Sequence, residues 1–173
     1  EGRLNENMQG AYLSTYEYEG KTEVIVATQF ESHYAREAFP CVDEPAAKAV
    51  FRLSITTDAD DMVLSNMPES ELHPSVLGQD GYKTTYFQPT PRMSTYLLAW
   101  VIGKFHGKTV INDKGILVST YCALNQDVDS VDFANEVAAD SLAFYEENFR
   151  VYYPFETLVQ VAFQLLSVSL QTV

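Results

Sequence analysis

Apolar and polar residues alternate along much of the first two-thirds of this chain, and a period of two is that of half-buried β-strands. The clearest instances are 23–30 (EVIVATQF) and 51–57 (FRLSITT), the second with Phe51, Leu53 and Ile55 on one face. Residues 62–66, 82–87, 93–103 and 115–123 are further predicted strands, separated by turn-rich clusters such as HPSVLGQDG (73–81) and NDKG (112–115). Short strands punctuated in this way imply an antiparallel sandwich or saddle. From Ser130 the period changes: Val131, Ala134, Ala138, Leu142, Tyr145 and Phe149 recur three or four residues apart, with acidic side chains elsewhere around the wheel. That spacing predicts an amphipathic helix. Asp129 or Ser130 is its expected N-cap, and Asp132 suits the positive end of the helix dipole. The fold class read from the pattern is mainly β, with a β-domain over 1–122 and a second domain beginning with the helix over 123–173.

Composition agrees with a folded chain, since 46% of the 173 residues are apolar and 13% aromatic. The 11 Lys and Arg against 24 Asp and Glu give a net charge of −13, without a basic run to track phosphates. Nucleic acid and anionic membrane are therefore not expected partners, whereas a cationic ligand is attracted. The uncharged run at 157–173 carries glutamines and serines throughout, which argues against a membrane span. Two distant cysteines, Cys41 and Cys122, without a CxxC pair or an N-x-[ST] sequon, read as free thiols of a reducing compartment. The opening EGRLNENMQG has no signal-peptide pattern, so a cytoplasmic location is the expectation.

Most familiar catalytic devices are missing from the text. A zinc site built from sequence neighbours needs His-Glu-x-x-His, and the three histidines, His33, His73 and His106, stand far apart. There is no GxSxG elbow, no GxGxxG and no phosphate-binding GxxxxGK[ST]. Cys41 has Asp43 and Glu44 beside it, and adjacent negative charge raises a thiol pKa, so it reads as a small buried hydrophobe.

What remains is the polar stretch TQFESHYAREAFPCVDEPAAKAVF at 28–51, whose Pro40 and Pro45 forbid a continuous strand. Arg36, Asp43, Glu44 and Lys48 read as charges that satisfy one another where a polar loop crosses a sheet. Gln29 and Glu31 differ, because they continue the alternation of a strand and point to the same side of it. Two acceptors on one face at a strand end can receive an ammonium group.

This stretch, with its T-Q-x-E element, A-R, F-P-C, D-E-P and A-x-K-A-x-F, resembles a signature of the zinc aminopeptidases of the aminopeptidase N family. The resemblance continues through LSNMP (64–68), PTPRMSTYLLAWVIGKF (89–105) and FYEENFRVYYPFETL (144–158). It implies an N-terminal β-saddle followed by the first helix of a thermolysin-like α/β domain. It also implies substrate-binding roles for Gln29 and Glu31, which would help hold the free α-amino group of a peptide substrate. Zinc is the cofactor of the complete family enzyme, held by a His-Glu-x-x-His helix and a later glutamate; neither that helix nor the family's G-x-M-E-N element occurs in this sequence. The resemblance thus implies an internal piece, incomplete at its start and divergent over 162–173, with no catalytic or metal residues and no zinc or activity of its own. A reading of another class is a non-catalytic β-module that binds peptide N-termini or a partner protein.

Overall fold

The computed structural model describes residues 2–78, 80–163 and 166–169, the backbone alone for 163 and 166–169. The packing divides the chain into two compact units between Lys104 and Phe105. The mainly-β, largely antiparallel architecture expected from the sequence is what the chain adopts.

In the first unit, β1 (Gly10–Tyr18) and β2 (Lys21–Gln29) form a hairpin in which Tyr18 pairs with Lys21. The two connecting residues, Glu19 and Gly20, have φ of 50° and 74°, the left-handed pair that a two-residue hairpin turn requires. On β1, Tyr12 and Tyr16 face the core, and on β2, Ile25 and Ala27 do. β3 (Ser54–Asp58), β4 (Met62–Ser65), β5 (Val76–Leu77), β6 (Tyr82–Tyr86) and β7 (Trp100–Gly103) complete the unit. They make two antiparallel sheets, one ordered β1-β2-β7-β4 and the other β3-β6-β5. The strand expected over 93–103 is cut in two. Thr95–Leu97 turns as a 3₁₀ segment, with an isolated bridge from Met93 to Ala49 before it and the paired strand Trp100–Gly103 after it. The cause is polar: Ser94 donates to the Pro45 carbonyl and Thr95 to Asp43, so the two hydroxyls tie the chain to another loop and not to a ladder. Phe51–Leu53, expected in a strand, lies just outside β3, although Phe51 N–H still bonds to Thr90 Oγ1.

In the second unit, β8 (Phe105–Ile111) and β9 (Leu117–Ala123) pair antiparallel. The helix α2 (Asp132–Phe149) then leads to β10 (Thr157–Phe163), which lies parallel to β9, and β11 (Leu166–Ser169) pairs antiparallel with β10. A parallel pair needs a crossover, and the amphipathic helix supplies it. Ile116, Val118 and Ala138 form the buried cluster beneath the helix, joined by Leu142 and Leu158. The N-cap expectation fails. A 3₁₀ turn at Val128–Val131 precedes α2, and the side chain that caps it is Asp127, which accepts from Asp129 N–H.

The buried row of α2 also departs from the expected one. Val131, Asn135, Ala138 and Glu146 are buried, while Tyr145 and Phe149, both expected to face inward, are exposed. Asn135 tolerates burial because its amide accepts from Thr120 Oγ1 and donates to the Lys108 carbonyl. Glu146 tolerates it because Lys114 donates to one carboxylate oxygen and Tyr153 N–H to the other at 2.6 Å. The Lys114 hydrogen bond and then the one from Tyr153 hold the Glu146 carboxyl below its ordinary pKa. Among the described residues no helix is long and apolar enough to cross a membrane. Half of the divergent tail expected over 162–173, residues 164, 165 and 170–173, lies outside the described residues.

Candidate functional site

β2 delivers the polar stretch. Along the strand Ile25 and Ala27 are buried, and Gln29 has the same parity, yet Gln29 is exposed. The core-facing row therefore runs out of cover at its last residue. Phe30 is buried immediately after it, and Glu31 is exposed again. The alternation predicted for Gln29 and Glu31 holds in exposure but not in structure, because the strand stops at Gln29 and residues 31–34 form a turn. The turn is joined to the strand end by Gln29 Oε1, which accepts from the backbone N–H of Glu31 at 3.1 Å. The Glu31–Ser32 peptide is cis. The Gln29 side chain thus meets the Glu31 backbone at one exposed corner, with the buried Phe30 as the peg between the two residues.

The peg is well seated. Phe30 packs with Ala35, Met93 and Leu98, and meets the rings of Phe39 and Trp100 edge-on at 5.9 and 5.3 Å. After the turn comes α1 (Ala35–Ala38), one helical turn long, with Ala35 fully buried. On the exposed side, Gln9 donates to Tyr34 Oη and Asn5 to Glu37.

Of the four charges expected to satisfy each other, only two do so. Asp43 accepts from Arg36 N–H and Nε on one oxygen and from the Thr95 hydroxyl on the other, while the Arg36 guanidinium also donates to the Asp43 carbonyl. Among the described residues no ion pair joins Glu44 to Lys48; both are exposed, where a pair gains little. Burial pushes the Asp43 pKa up, but the hydrogen bonds from Thr95 and Arg36, with the guanidinium charge, reverse this and hold it below the ordinary value. A lowered folded pKa means that the stabilisation is present above the unfolded value of about 4 and is lost as pH falls through the folded one. Urea melts taken from pH 6 downward are expected to show the gap between wild type and Asp43→Asn closing below about pH 4. A gap independent of pH would deny Asp43 its charge role. Cys41, next to this pair, has its thiol pushed up by burial and then by Asp43, with Arg36 opposing, which keeps it a protonated, unreactive thiol.

A second polar feature of the same unit is an acid-lined cleft of about 740 Å³ between β2 and the turn at 58–61, bordered by Asp58, Asp60, Asp61 and Asp80. Lys104 reaches Glu23 across its rim at 2.9 Å. The zinc implied by the resemblance is not served here or elsewhere: among the described residues no three His, Cys, Asp or Glu side chains converge. His33 stacks on Tyr34, and His106 contacts the Gln126 carbonyl, so these two histidines have local structural partners. The described residues do not fit a catalytic metal site.

The Peptidase M1 N-terminal domain matches residues 1–97. Aminopeptidase N of Lactococcus lactis subsp. lactis is 49% identical over 156 residues, 88% of this chain and 18% of the relative. Aminopeptidase N of Lactobacillus helveticus is 42% identical over 161 residues, 92% of this chain and 18% of the relative. Endoplasmic reticulum aminopeptidase 1 of Homo sapiens is 40% identical over 154 residues, 88% of this chain and 16% of the relative. The chain therefore spans less than a fifth of the length of these proteins. With a matched domain that ends just before β7 and a likeness that runs on through the helix, this chain belongs to the aminopeptidase N family and carries its Peptidase M1 N-terminal domain.

Proposed function

We propose that this chain is the part of a zinc-dependent aminopeptidase that recognises the free amino terminus of a peptide, through Gln29 and Glu31. The observation that carries the reading is the corner itself: an exposed carboxylate and an exposed amide flank one buried phenylalanine at a strand end. An aminopeptidase must separate a terminal residue from an internal one, and the handle is the ammonium charge. A carboxylate accepts from an ammonium in a charge-assisted hydrogen bond, and a carboxamide oxygen adds a neutral acceptor beside it. Zinc, supplied by other parts of such an enzyme, would activate water for attack on the scissile carbonyl. On this reading the present residues bind and orient the substrate and hydrolyse nothing alone. The free thiols of Cys41 and Cys122 support a cytoplasmic setting.

The test is Glu31→Ala in a complete enzyme carrying this segment. Truncating one partner of a desolvated charged pair costs about 2–5 kcal/mol, so kcat/KM is expected to fall by roughly 30-fold or more with zinc content unchanged. A solvated turn carboxylate without this role would move it by no more than about 0.5 kcal/mol. Near-wild-type kcat/KM would retire the anchor.

A further inference from the structure

The turn carrying Glu31 is polar and exposed, a kind of segment that ordinarily wanders, and ammonium recognition fails if its carboxylate wanders. It is braced from both ends. At its start Phe30 is buried, and its carbonyl accepts from Tyr34 N–H at 2.9 Å, closing the turn. At its end Ala35 is buried, and the next residue, Arg36, offers a backbone N–H and a guanidinium Nε to one oxygen of Asp43, at 3.1 and 3.2 Å. The other oxygen of Asp43 takes the Thr95 hydroxyl at 2.7 Å. The Asp43 side chain is 1% exposed and its bond from Thr95 is buried, while Arg36 meets it from the half-exposed side with a charge-assisted hydrogen bond. The bracing bonds on the solvent side, Gln9 to Tyr34 and Asn5 to Glu37, lie partly or wholly exposed and are correspondingly weaker. Asp43 itself is delivered by a stiff segment, since Pro40 and Pro45 flank it and Ser94 holds the Pro45 carbonyl at 2.6 Å.

We infer that Asp43 is a positioning residue for amine recognition: its buried carboxylate clamps the far end of the Glu31 turn to the Thr95 segment and so fixes where the Glu31 carboxylate stands. The inference rests on Gln29 and Glu31 being the amine anchor. Asp43 touches no substrate in this scheme; it acts through the turn. The distinguishing property is coupling. A residue that merely stabilises the fold lowers the folded population, whereas one that aims Glu31 loses its effect on binding once Glu31 is gone.

The experiment is a double-mutant cycle in the complete zinc-loaded enzyme carrying this segment, using Asp43→Asn, Glu31→Ala and the pair. Two quantities are read: kcat and KM on an aminoacyl-nitroanilide, and competitive inhibition by isoamylamine against its uncharged counterpart, isoamyl alcohol. Asp43→Asn is expected to raise KM and weaken isoamylamine inhibition roughly tenfold, to leave isoamyl alcohol inhibition unchanged, and to do less than twofold more in the Glu31→Ala background. Thr95→Val, which removes one donor while keeping the volume, is expected to give the same pattern at smaller amplitude. It decides the matter alone if Asp43→Asn does not fold. Wild-type isoamylamine inhibition in the folded variants, or losses that add fully to those of Glu31→Ala, would overturn the positioning role and leave the anchor standing. Full isoamylamine inhibition in Glu31→Ala would remove the anchor, and the positioning role with it.

Discussion

Gly107→Ala is expected to destabilise the second unit by about 3 kcal/mol, the upper range for overpacking a close-packed site. A Cβ at this position would stand 2.4 Å from the Thr120 carbonyl oxygen, 2.7 Å from Tyr121 Cδ1 and 2.9 Å from Tyr121 Cα. Two of these three atoms are backbone, and they belong to β9, the strand on which Gly107 is registered opposite Tyr121. No rotamer change relieves such an overlap. The strands must separate or slip, and a slip by one residue would turn the whole inward face of β8 outward. Urea denaturation followed by far-ultraviolet circular dichroism measures the loss. Gly2→Ala is the control, because nothing lies within 4 Å of its added carbon. If Gly107→Ala melts with the wild type, the close approach of β8 to β9 described here is wrong.

Phe30→Ala carries the second large effect, about 3–5 kcal/mol, as is usual when a fully buried aromatic ring is deleted. The ring is 1% exposed and touches both Phe39 and Trp100. Its removal leaves a hole that Met93 and Leu98 can fill only by moving the strand end, and Gln29 and Glu31 sit on either side of that hole. One substitution should therefore lower stability and, in a complete enzyme, loosen amine recognition as well. Phe30→Leu should recover more than half of the stability, since it restores most of the volume. Trp100 is the sole tryptophan, so its emission reports the site directly during denaturant titration. An unchanged midpoint in Phe30→Ala would mean that the ring is not the peg it is taken to be.

How far the fold was legible in the sequence depended on whether burial was apolar. The strand at 62–66 and the helix from Ser130 were readable because Val63, Val131 and Ala138 are buried hydrophobes at the right period. The far end of the helix departs from its apolar period because Glu146, not Tyr145 or Phe149, turns inward. A glutamate made acceptable by a lysine thirty-two residues away looks, in one dimension, like any surface glutamate. The helix also stops without glycine, at Arg150 in the left-handed region with φ 54°. β1 does carry a signal, in Tyr12, Tyr16 and the Glu19-Gly20 turn, whereas in β8 polar residues interrupt the apolar ones and leave no alternation. At the candidate site, the exposure of Gln29 and Glu31 was legible from spacing, but the turn that carries Glu31 was not. Nor was the role of Thr95, because the donor to Asp43 is fifty-two residues away and hydroxyls carry no periodic signal.

The parallel pairing of β9 with β10 sets an order on folding. Leu117 pairs with Thr157 and Cys122 with Ala162, so the two strands cannot meet until the whole of α2 and its exit loop have been made. β8 and β9, joined by a short turn, can close at once, and their loop-closure cost is small. On a ribosome the hairpin would therefore wait with one edge of β9 unpaired while about 40 further residues emerge, a few seconds at ordinary synthesis rates. During that interval the open edge is a template for any other extended chain nearby. The helix docks through Ala138 and Leu142, and the pairing of β10 with β9 is what ends the exposure. In a pulse-labelled hydrogen-exchange experiment, the β8–β9 amides should gain protection before those of β10.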